Sequence, residues 1–228
     1  GPAYLGGAIR YNRDVYPAWG SLSDFVRSGS PVERPEVHLG EDLERTRTFV
    51  LSMHGRAMGI GRSVVPQLPL SDCRKLLDVG GGPGTYSVLM AQANPDLNCT
   101  VMDLPGVVAV ASDLIQSQGM QDRVKTMPGD YRTTPFPPNQ DAIAFFGMLH
   151  QESPESIQKL FAKAFEALRP GGRVFILDMM TDTSHTQPAF SALFAVNMAL
   201  TTENGWVFSD TELNTWLSEA GFSDFQCA

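Results

Sequence analysis

The chain has 228 residues, of which 43% are hydrophobic and 18% charged, enough to bury the core of a sizeable α/β domain. Its formal net charge of −8 disfavours nucleic acid and anionic membranes as partners, because most of the surface would repel them. No apolar run reaches the roughly 18 residues that a membrane span needs. The three cysteines lie far apart and form no CxxC pair, so we expect a reducing compartment and a cytoplasmic protein.

The N-terminal part of the sequence has the pattern of a helical segment. Apolar residues at helical spacing predict an amphipathic helix over residues 8–26. Turn residues predict a loop over residues 28–40, and a second helix is predicted from residue 41 to residue 65. We interpret residues 1–70 as an entry segment that packs on a domain formed by residues 71–228.

Within residues 71–228, short apolar runs alternate with helical patterns. The predicted strands are LLDV, CTVMDL, VKTMPG, AIAFFGML and RVFILDMM, and FSDFQCA is predicted to begin a further strand. Helices are predicted over residues 86–93, 107–118, 154–168, 187–200 and 211–220. This alternation predicts an α/β fold with a Rossmann-like, doubly wound, mostly parallel sheet and helices on both faces, preceded by the N-terminal helical segment.

A glycine-rich stretch, LDVGGGPG, follows the first predicted strand at residues 77–84. In an open parallel sheet the ligand lies outside the carboxyl ends of the strands, and the turn after the first strand approaches it most closely. Gly80, Gly82 and Gly84 allow positive φ angles and a close approach of the backbone. Asp78 at the strand end would order the loop or meet a cationic group. The alternative is a tight turn without a ligand.

The spacing of the glycines distinguishes two classes of cofactor. The dinucleotide fingerprint GxGxxG requires a glycine where this chain has Thr85, so the match to a binding site for NAD fails there. The pattern that stands instead is DxGxGxG. Asp103, at the end of CTVMDL, can accept two hydrogen bonds from a ribose diol, although such an acid would serve NAD equally well.

DxGxGxG resembles the first motif of class I S-adenosylmethionine-dependent methyltransferases. The resemblance implies S-adenosylmethionine as cofactor and S-adenosylhomocysteine as product. In that family the acid after the third strand takes the adenine amino group, a position that PGDY fills here. The implied cofactor-binding residues are Asp78, Gly80, Gly82, Asp103, Leu104, Asp130, Tyr131 and Phe146.

A longer stretch, FFGMLHQESPESIQKLFAKAFEALRPGGRVFILDMM, is similar to O-methyltransferases of the caffeate and hydroxyindole type. The similarity extends from YLGGAIRYN near the start to EAGF near the end. It implies that His150 is the general base, because a neutral imidazole can take a phenolic proton. Asp178, at the end of RVFILD, matches a carboxylate that holds the tautomer of this histidine.

Several residues depart from the pattern of the plant members. Gln151 and Glu152 follow the histidine where the family commonly has Asp and Trp, and Phe146 stands where plant members have lysine. The second glutamate that flanks the family histidine is replaced by Val207 or Phe208. We therefore expect the imidazole to be held from one side only.

The resemblance also implies an acceptor pocket above the methyl group of the cofactor. Its walls would come from the entry helix and from the helix after the fifth strand, and its residues would be Phe49, Met53, Arg56, Phe194, Met198 and Thr202. Methionine and phenylalanine suit flat aromatic acceptors. Taken singly, each of these side chains is equally consistent with ordinary helix core. No acidic cluster indicates a metal site.

The sequence therefore predicts an O-methyltransferase that acts on a hydroxyl of a small aromatic or polyketide-like molecule. The alternatives are a cofactor-binding module without catalysis, a C- or N-methyltransferase, and an NAD-linked oxidoreductase. The resemblance implies that family members begin with a winged-helix-like region that supplies most of the contact of a homodimer, and we expect this chain to start after that region. We expect an exposed apolar patch on the first helix where that region would pack, formed by Trp19, Leu22 and Phe25.

Overall fold

The structure, a computed structural model, describes residues 6–32 and 42–227. Its helices are α1 (Gly6–Gly20), α2 (Leu22–Ser28), α3 (Leu43–Val64), α4 (Thr85–Ala93), α5 (Pro105–Ser117), α6 (Pro154–Ala167), α7 (Ala189–Thr201) and α8 (Asp210–Glu219). Its strands are β1 (Lys75–Val79), β2 (Asn98–Asp103), β3 (Val124–Pro128), β4 (Gln140–Phe146) and β5 (Leu168–Leu177). Short 3-10 helices cover Val65–Gln67 and Leu149–Gln151.

The five strands form one parallel sheet in the order β3-β2-β1-β4-β5. The central strand β1 pairs with β2 on one side and with β4 on the other, so the chain leaves β1 in one direction and later returns to its opposite edge. In sheets of this kind the ligand crevice opens where the strand order reverses. The fold therefore predicts a ligand site at the carboxyl ends of β1 and β4.

Helices cover both faces of the sheet. Successive side chains of a strand point to opposite faces, and Leu76 packs into the cluster shared with Val88 and Ile115 of α4 and α5. Leu77 packs into the cluster shared with Phe161 on the other face, where α6 and α8 lie. Burial of each such side chain stabilises the fold by about 1.5–3 kcal/mol. The predicted doubly wound α/β sheet is confirmed.

The N-terminal segment differs from its prediction in one respect. The predicted helix over residues 8–26 is divided into α1 and α2 between Gly20 and Leu22. Glycine is a poor helix former, which explains a break beside Gly20. The helix α3 packs against α4 and α5, and α1 packs against α3 and α7. Residues 33–41 of the predicted loop and helix start lie outside the described residues, and the domain boundary at residue 70 stays a prediction.

The exposed apolar residues of α1 and α2 are not the three that were predicted. Trp19, Leu22 and Phe25 are partly buried, and the Trp19 Nε1–H donates a hydrogen bond of 3.0 Å to Asn197 Oδ1 on α7. The exposed apolar side chains of α1 and α2 include Ile9, Tyr16 and Val26 instead. Within the described residues, no helix is both long and apolar enough to cross a membrane.

The predicted strand at FSDFQCA is wrong, because residues 222–227 have no regular secondary structure. Asp224 has a φ of 61°, a left-handed conformation that interrupts an extended strand. Phe222 packs against Phe165 of α6, with ring centroids 5.3 Å apart. In the part of the chain that the structure describes, β5 is thus an edge strand of the sheet.

Candidate active site

The glycine turn joins β1 to α4 at the crevice. Gly80, Gly82 and Gly84 have φ angles of 63°, 53° and 69°, so all three occupy the left-handed region predicted for them. A Cβ at Gly80 would lie 3.1 Å from Met148 Cγ, whereas a Cβ at Gly82 would meet nothing within 4 Å. The backbone at Gly82 is therefore open to the space above the strand ends.

Gly81 stands at a position that the DxGxGxG pattern leaves open, yet a side chain there would clash with its neighbours. A Cβ there would lie 2.7 Å from Asp78 Cγ and 2.9 Å from Val101 Cγ1. Both atoms belong to short, buried side chains that have no room to move. The turn thus passes directly over the carboxylate of Asp78.

Asp78 itself is fully buried at the end of β1. Its Oδ2 accepts a hydrogen bond of 2.7 Å from Ser87 Oγ, while its Oδ1 has no partner among the described residues. Burial raises the pKa of this carboxyl to about 7, and the nearby carboxylate of Asp103 adds to the rise, against the hydrogen bond from Ser87. The group is suited to receive a donor or a cation from a ligand.

Asp103 lies at the end of β2 and holds the same turn from the other side. Its Oδ2 accepts the Gly82 N–H at 2.8 Å and its Oδ1 accepts the Leu104 N–H at 2.7 Å. Burial raises the pKa of this carboxyl, and the two backbone donors oppose the rise. Each carboxylate oxygen has a second lone pair, so the predicted contact with a ribose diol fits the chemistry of this group.

The loop after β3 carries the residues predicted to frame the adenine, and we call it the adenine loop (residues 129–134). Asp130 Oδ1 accepts the Arg132 N–H at 2.8 Å, and the Tyr131 hydroxyl donates to Glu152 Oε1 at 2.8 Å. Burial is the main cause of a raised pKa for Tyr131, so the phenol keeps its proton. Phe146, at the end of β4, packs edge-on against Tyr86 with ring centroids 5.0 Å apart.

His150 occupies the 3-10 turn after β4, which we call the histidine turn (Leu149–Gln151). Its Nδ1 lies 2.6 Å from Asp178 Oδ1, and its backbone N–H donates to Asp178 Oδ2 at 3.2 Å. The Asp178 side chain is only 1% exposed. Val207 and Phe208, where the family has a second glutamate, are buried core residues. Within the described residues, Asp178 is therefore the carboxylate that holds the imidazole.

The residues predicted to line the acceptor pocket lie on two helices. Phe194 on α7 packs edge-on against the His150 ring, with centroids 5.0 Å apart. Met198 is buried one turn further on, and Thr202 caps the helix by donating to Met198 O at 2.7 Å. Helix α7 therefore lies beside the histidine turn.

The three residues of α3 that are predicted to line the acceptor pocket differ in their surroundings. Phe49 packs against the cluster between α3 and α5, which includes Val107, so it also serves as helix core. Met53 and Arg56 are half-buried. The guanidinium of Arg56 lies close enough to Tyr86 to lower its pKa, although burial dominates and raises that pKa to about 12.

Three residues near the candidate site carry contacts that the sequence motifs do not predict. Ser87 donates to Asp78, and His54 Nδ1 lies 2.7 Å from Thr85 Oγ1 at the start of α4, where burial lowers the pKa of the imidazole. Glu152 contacts Tyr131. Each contact joins side chains on different elements, so no local pattern indicates it. For Glu152 the only signal is its departure from the family pattern.

Comparison with known proteins identifies the family. A sequence profile of the O-methyltransferase domain matches residues 34–223. The 3-hydroxy-5-methyl-1-naphthoate 3-O-methyltransferase of Streptomyces sahachiroi is 30% identical over 227 residues, which are 98% of this chain and 66% of the relative. The tetracenomycin polyketide synthesis 8-O-methyl transferase TcmO of Streptomyces glaucescens is also 30% identical, over 98% of this chain and 67% of the relative. The chain thus spans about two thirds of these proteins.

Solved structures agree with the sequence relatives. Human N-acetylserotonin methyltransferase in complex with SAM superimposes with a TM-score of 0.85 at 26% identity, covering 99% of this chain and 67% of that one. PigF with SAH gives a TM-score of 0.85 at 26% identity, covering 98% and 69%. With a domain profile that covers most of the sequence, the chain belongs to the O-methyltransferase domain family.

Proposed function

We propose that this protein transfers the methyl group of S-adenosylmethionine to a hydroxyl of a small aromatic or polyketide-like molecule, with His150 as general base. The observation that carries the proposal is the pairing of His150 with Asp178, at 2.6 Å, beside the glycine turn. The family membership supports the reaction class, and the two Streptomyces relatives are named for O-methylation of a naphthoate and for O-methylation in polyketide synthesis.

The crevice at the ends of β1 and β2 fits the cofactor. Asp78 presents an unpartnered buried oxygen that suits the amino group of the methionine part, and Asp103 suits the ribose hydroxyls. Gly82 leaves space above the turn. Asp130 and Tyr131 would border the adenine. Human N-acetylserotonin methyltransferase and PigF, crystallised with SAM and SAH, support this assignment.

The geometry of His150 and Asp178 supports the roles proposed for them. When bound, S-adenosylmethionine supplies an electrophilic methyl group on its sulfonium. The oxygens of a carboxylate accept hydrogen bonds, so Asp178 would select the tautomer of His150 that carries its proton on Nδ1. Nε2 would then be free to take the proton of the acceptor hydroxyl, whose oxygen would gain the methyl group while the bond from that group to sulfur breaks and S-adenosylhomocysteine leaves. Asp178 stabilises the imidazolium that forms.

The acceptor would lie between α3 and α7. Phe194 packs against the imidazole, so an apolar ring would border the place where the hydroxyl meets His150. Met198 and Met53 offer polarizable surface for a flat acceptor, and Arg56 offers a cation at the edge of the site. Orientation of the hydroxyl towards His150 and the methyl group is the main contribution of such a pocket.

A second candidate is methylation of carbon or nitrogen on the same scaffold. The L-tyrosine C(3)-methyltransferase of Streptomyces lavendulae is 33% identical over 186 residues, and the N,N-dimethyltransferase OxyT of Streptomyces rimosus is 29% identical over 227 residues. The hydroxyl acceptor is preferred here because a base held by a carboxylate is most useful where a proton must leave. A module that binds the cofactor without catalysis is the other alternative.

The test is a methyl-transfer assay with labelled S-adenosylmethionine and a panel of phenols, anilines and carbon acceptors. We expect transfer to a phenol, and a loss of about 10²–10⁴-fold in kcat for His150→Ala because proton removal is lost. Asp178→Asn should lose rate in the same direction. The affinity for S-adenosylhomocysteine, measured as a control, should not change in either variant. Full activity of His150→Ala at neutral pH would refute the assignment of the base.

A further inference from the structure

Glu152 is a buried carboxylate that collects hydrogen-bond donors from two separate parts of the chain. The residue is 1% exposed. Its Oε1 accepts from the Tyr131 hydroxyl at 2.8 Å and from Arg132 Nη2 at 2.6 Å, and Arg132 Nε lies 3.0 Å from Oε1 and 3.1 Å from Oε2. Ser156 Oγ on α6 donates to Oε2 at 2.5 Å. The side chain is thus attached to the adenine loop.

The backbone of the same residue is attached to the histidine turn. Its N–H donates to Leu149 O at 3.0 Å, and its carbonyl accepts the Trp206 Nε1–H at 3.1 Å. The Trp206 backbone N–H in turn donates to His150 O at 3.0 Å. One residue therefore connects the loop that carries Tyr131 with the turn that carries His150.

We propose that Glu152 is a positioning residue that couples the adenine loop to the histidine turn, so that its carboxylate sets the cofactor affinity while its backbone places the turn in which Asp178 holds the base. The adenine and base roles rest on the proposed function. Glu152 acts through its neighbours, with Tyr131 and Arg132 on the side of the adenine loop and Trp206 on the side of the histidine turn.

The chemistry of the position favours this role over simple packing. A buried carboxylate is expensive to desolvate, and a well-packed apolar side chain of similar size often stabilises a fold as much or more. A carboxylate can hold several donors at fixed positions, which an apolar side chain cannot do. Glu152 accepts from three different side chains, two of them adjacent residues of the adenine loop.

Lys163 provides a matched control. Its Nζ donates to Tyr131 O at 2.6 Å and to Thr134 O at 2.8 Å, so it braces the same loop from α6. Its ammonium also lies 4.4 Å from the Phe136 ring centroid. None of these contacts reaches the histidine turn. Loss of Lys163 should therefore disturb the loop alone.

The experiment compares Glu152→Gln with Lys163→Met in the intact chain. Affinity for S-adenosylhomocysteine is measured by calorimetry, and ring ¹⁵N chemical shifts report the tautomer of His150, whose signals are identified by their loss in His150→Ala. Replacement of a charged acceptor by an amide costs one or more charge-assisted hydrogen bonds, so we expect Glu152→Gln to bind about tenfold more weakly. Because the histidine turn would then be free to shift relative to Asp178, the His150 ring should show mixed tautomers. Lys163→Met should bind more weakly and keep the Nδ1–H tautomer.

The half-exposed Arg132 supplies a second variant that retains Glu152 itself, since its side chain is 52% exposed. Arg132→Met should change affinity and tautomer in the same directions as Glu152→Gln, by smaller amounts. Unchanged affinity or an unchanged tautomer in both the Glu152 and the Arg132 variants would overturn the proposal, as would mixed tautomers in Lys163→Met. These readouts need no methyl acceptor, so failure of the proposed reaction leaves the test intact.

Discussion

Asp78 carries a strongly perturbed carboxyl beneath the glycine turn. Burial raises its pKa to about 7, well above the value of about 4 that is usual for an unfolded chain. The folded protein therefore holds a proton that the unfolded chain has already lost, and the contribution of Asp78 to stability falls as the pH rises from about 4 to about 7. A cation placed next to Oδ1 would lower the pKa again.

Proton release should therefore accompany ligand binding at this turn. Binding of S-adenosylhomocysteine near pH 6.5 should release protons, because the ligand ammonium stabilises the ionised form of Asp78. Calorimetric titrations in two buffers with different ionisation enthalpies measure the number released. Asp78→Asn should release none from this source. A binding heat that is the same in both buffers for the wild type would show that no cation reaches Asp78.

The tautomer of His150 is another property set at the residue scale. Both oxygens of the Asp178 carboxylate contact this histidine, one through Nδ1 and one through the backbone N–H. The backbone contact fixes the turn while the side-chain contact fixes the ring. A single carboxylate thus contacts both the ring and the backbone of His150.

At the scale of elements, the turn between β1 and α4 is defined by close approach. A Cβ at Gly81 would collide with the buried Asp78 and Val101 side chains, whereas a Cβ at Gly59, inside α3, would meet nothing within 4 Å. A side chain can therefore be added at Gly59 but not at Gly81 without displacing neighbouring atoms. The first is required by packing, and the second is a helix residue for which alanine is preferred.

We predict that Gly81→Ala lowers the free energy of unfolding by about 1–3 kcal/mol, because the added methyl must displace rigid neighbours. It should also weaken binding of S-adenosylhomocysteine, since Asp78 would move. Gly59→Ala, the matched control, should raise stability by about 0.5–1 kcal/mol and leave binding unchanged. Urea unfolding and calorimetry measure both quantities. Equal effects of the two substitutions would contradict the packing account.

The strands and helices of the sheet could be predicted because their patterns are local. The short apolar runs LLDV and AIAFFGML correspond to β1 and β4. Residues 154–168 have apolar side chains at helical spacing, and they correspond to α6. The failures have local causes as well. The low helix propensity of Gly20 explains the break at Ser21 in the first predicted helix. The left-handed φ of Asp224 interrupts the final predicted strand.

The candidate site could be predicted only where a motif spans it. The glycine turn, Asp103 and the pairing of His150 with Asp178 follow from spacing and resemblance, and the structure brings the pair within 2.6 Å. The links through Glu152 and Ser87 could not be predicted, because each depends on side chains that meet only in the folded chain.

At the scale of the whole molecule, the strand order places the parts of the site. Because β1 lies between β2 and β4, the glycine turn, Asp103 and the histidine turn all open at one edge of the sheet. Sheets with this reversal bind either dinucleotides or adenosyl cofactors, so the fold alone does not choose between them. The choice rests on Thr85, buried at the start of α4, in place of the third glycine.

The most direct test of the central claim is a pair of calorimetric titrations of the wild-type chain, one with S-adenosylhomocysteine and one with NAD. We predict saturable one-to-one binding of S-adenosylhomocysteine and no binding heat with NAD. His150→Ala should bind S-adenosylhomocysteine as the wild type does, because the histidine acts on the acceptor. Binding of NAD without binding of S-adenosylhomocysteine would contradict the assignment of the crevice to a methyl donor.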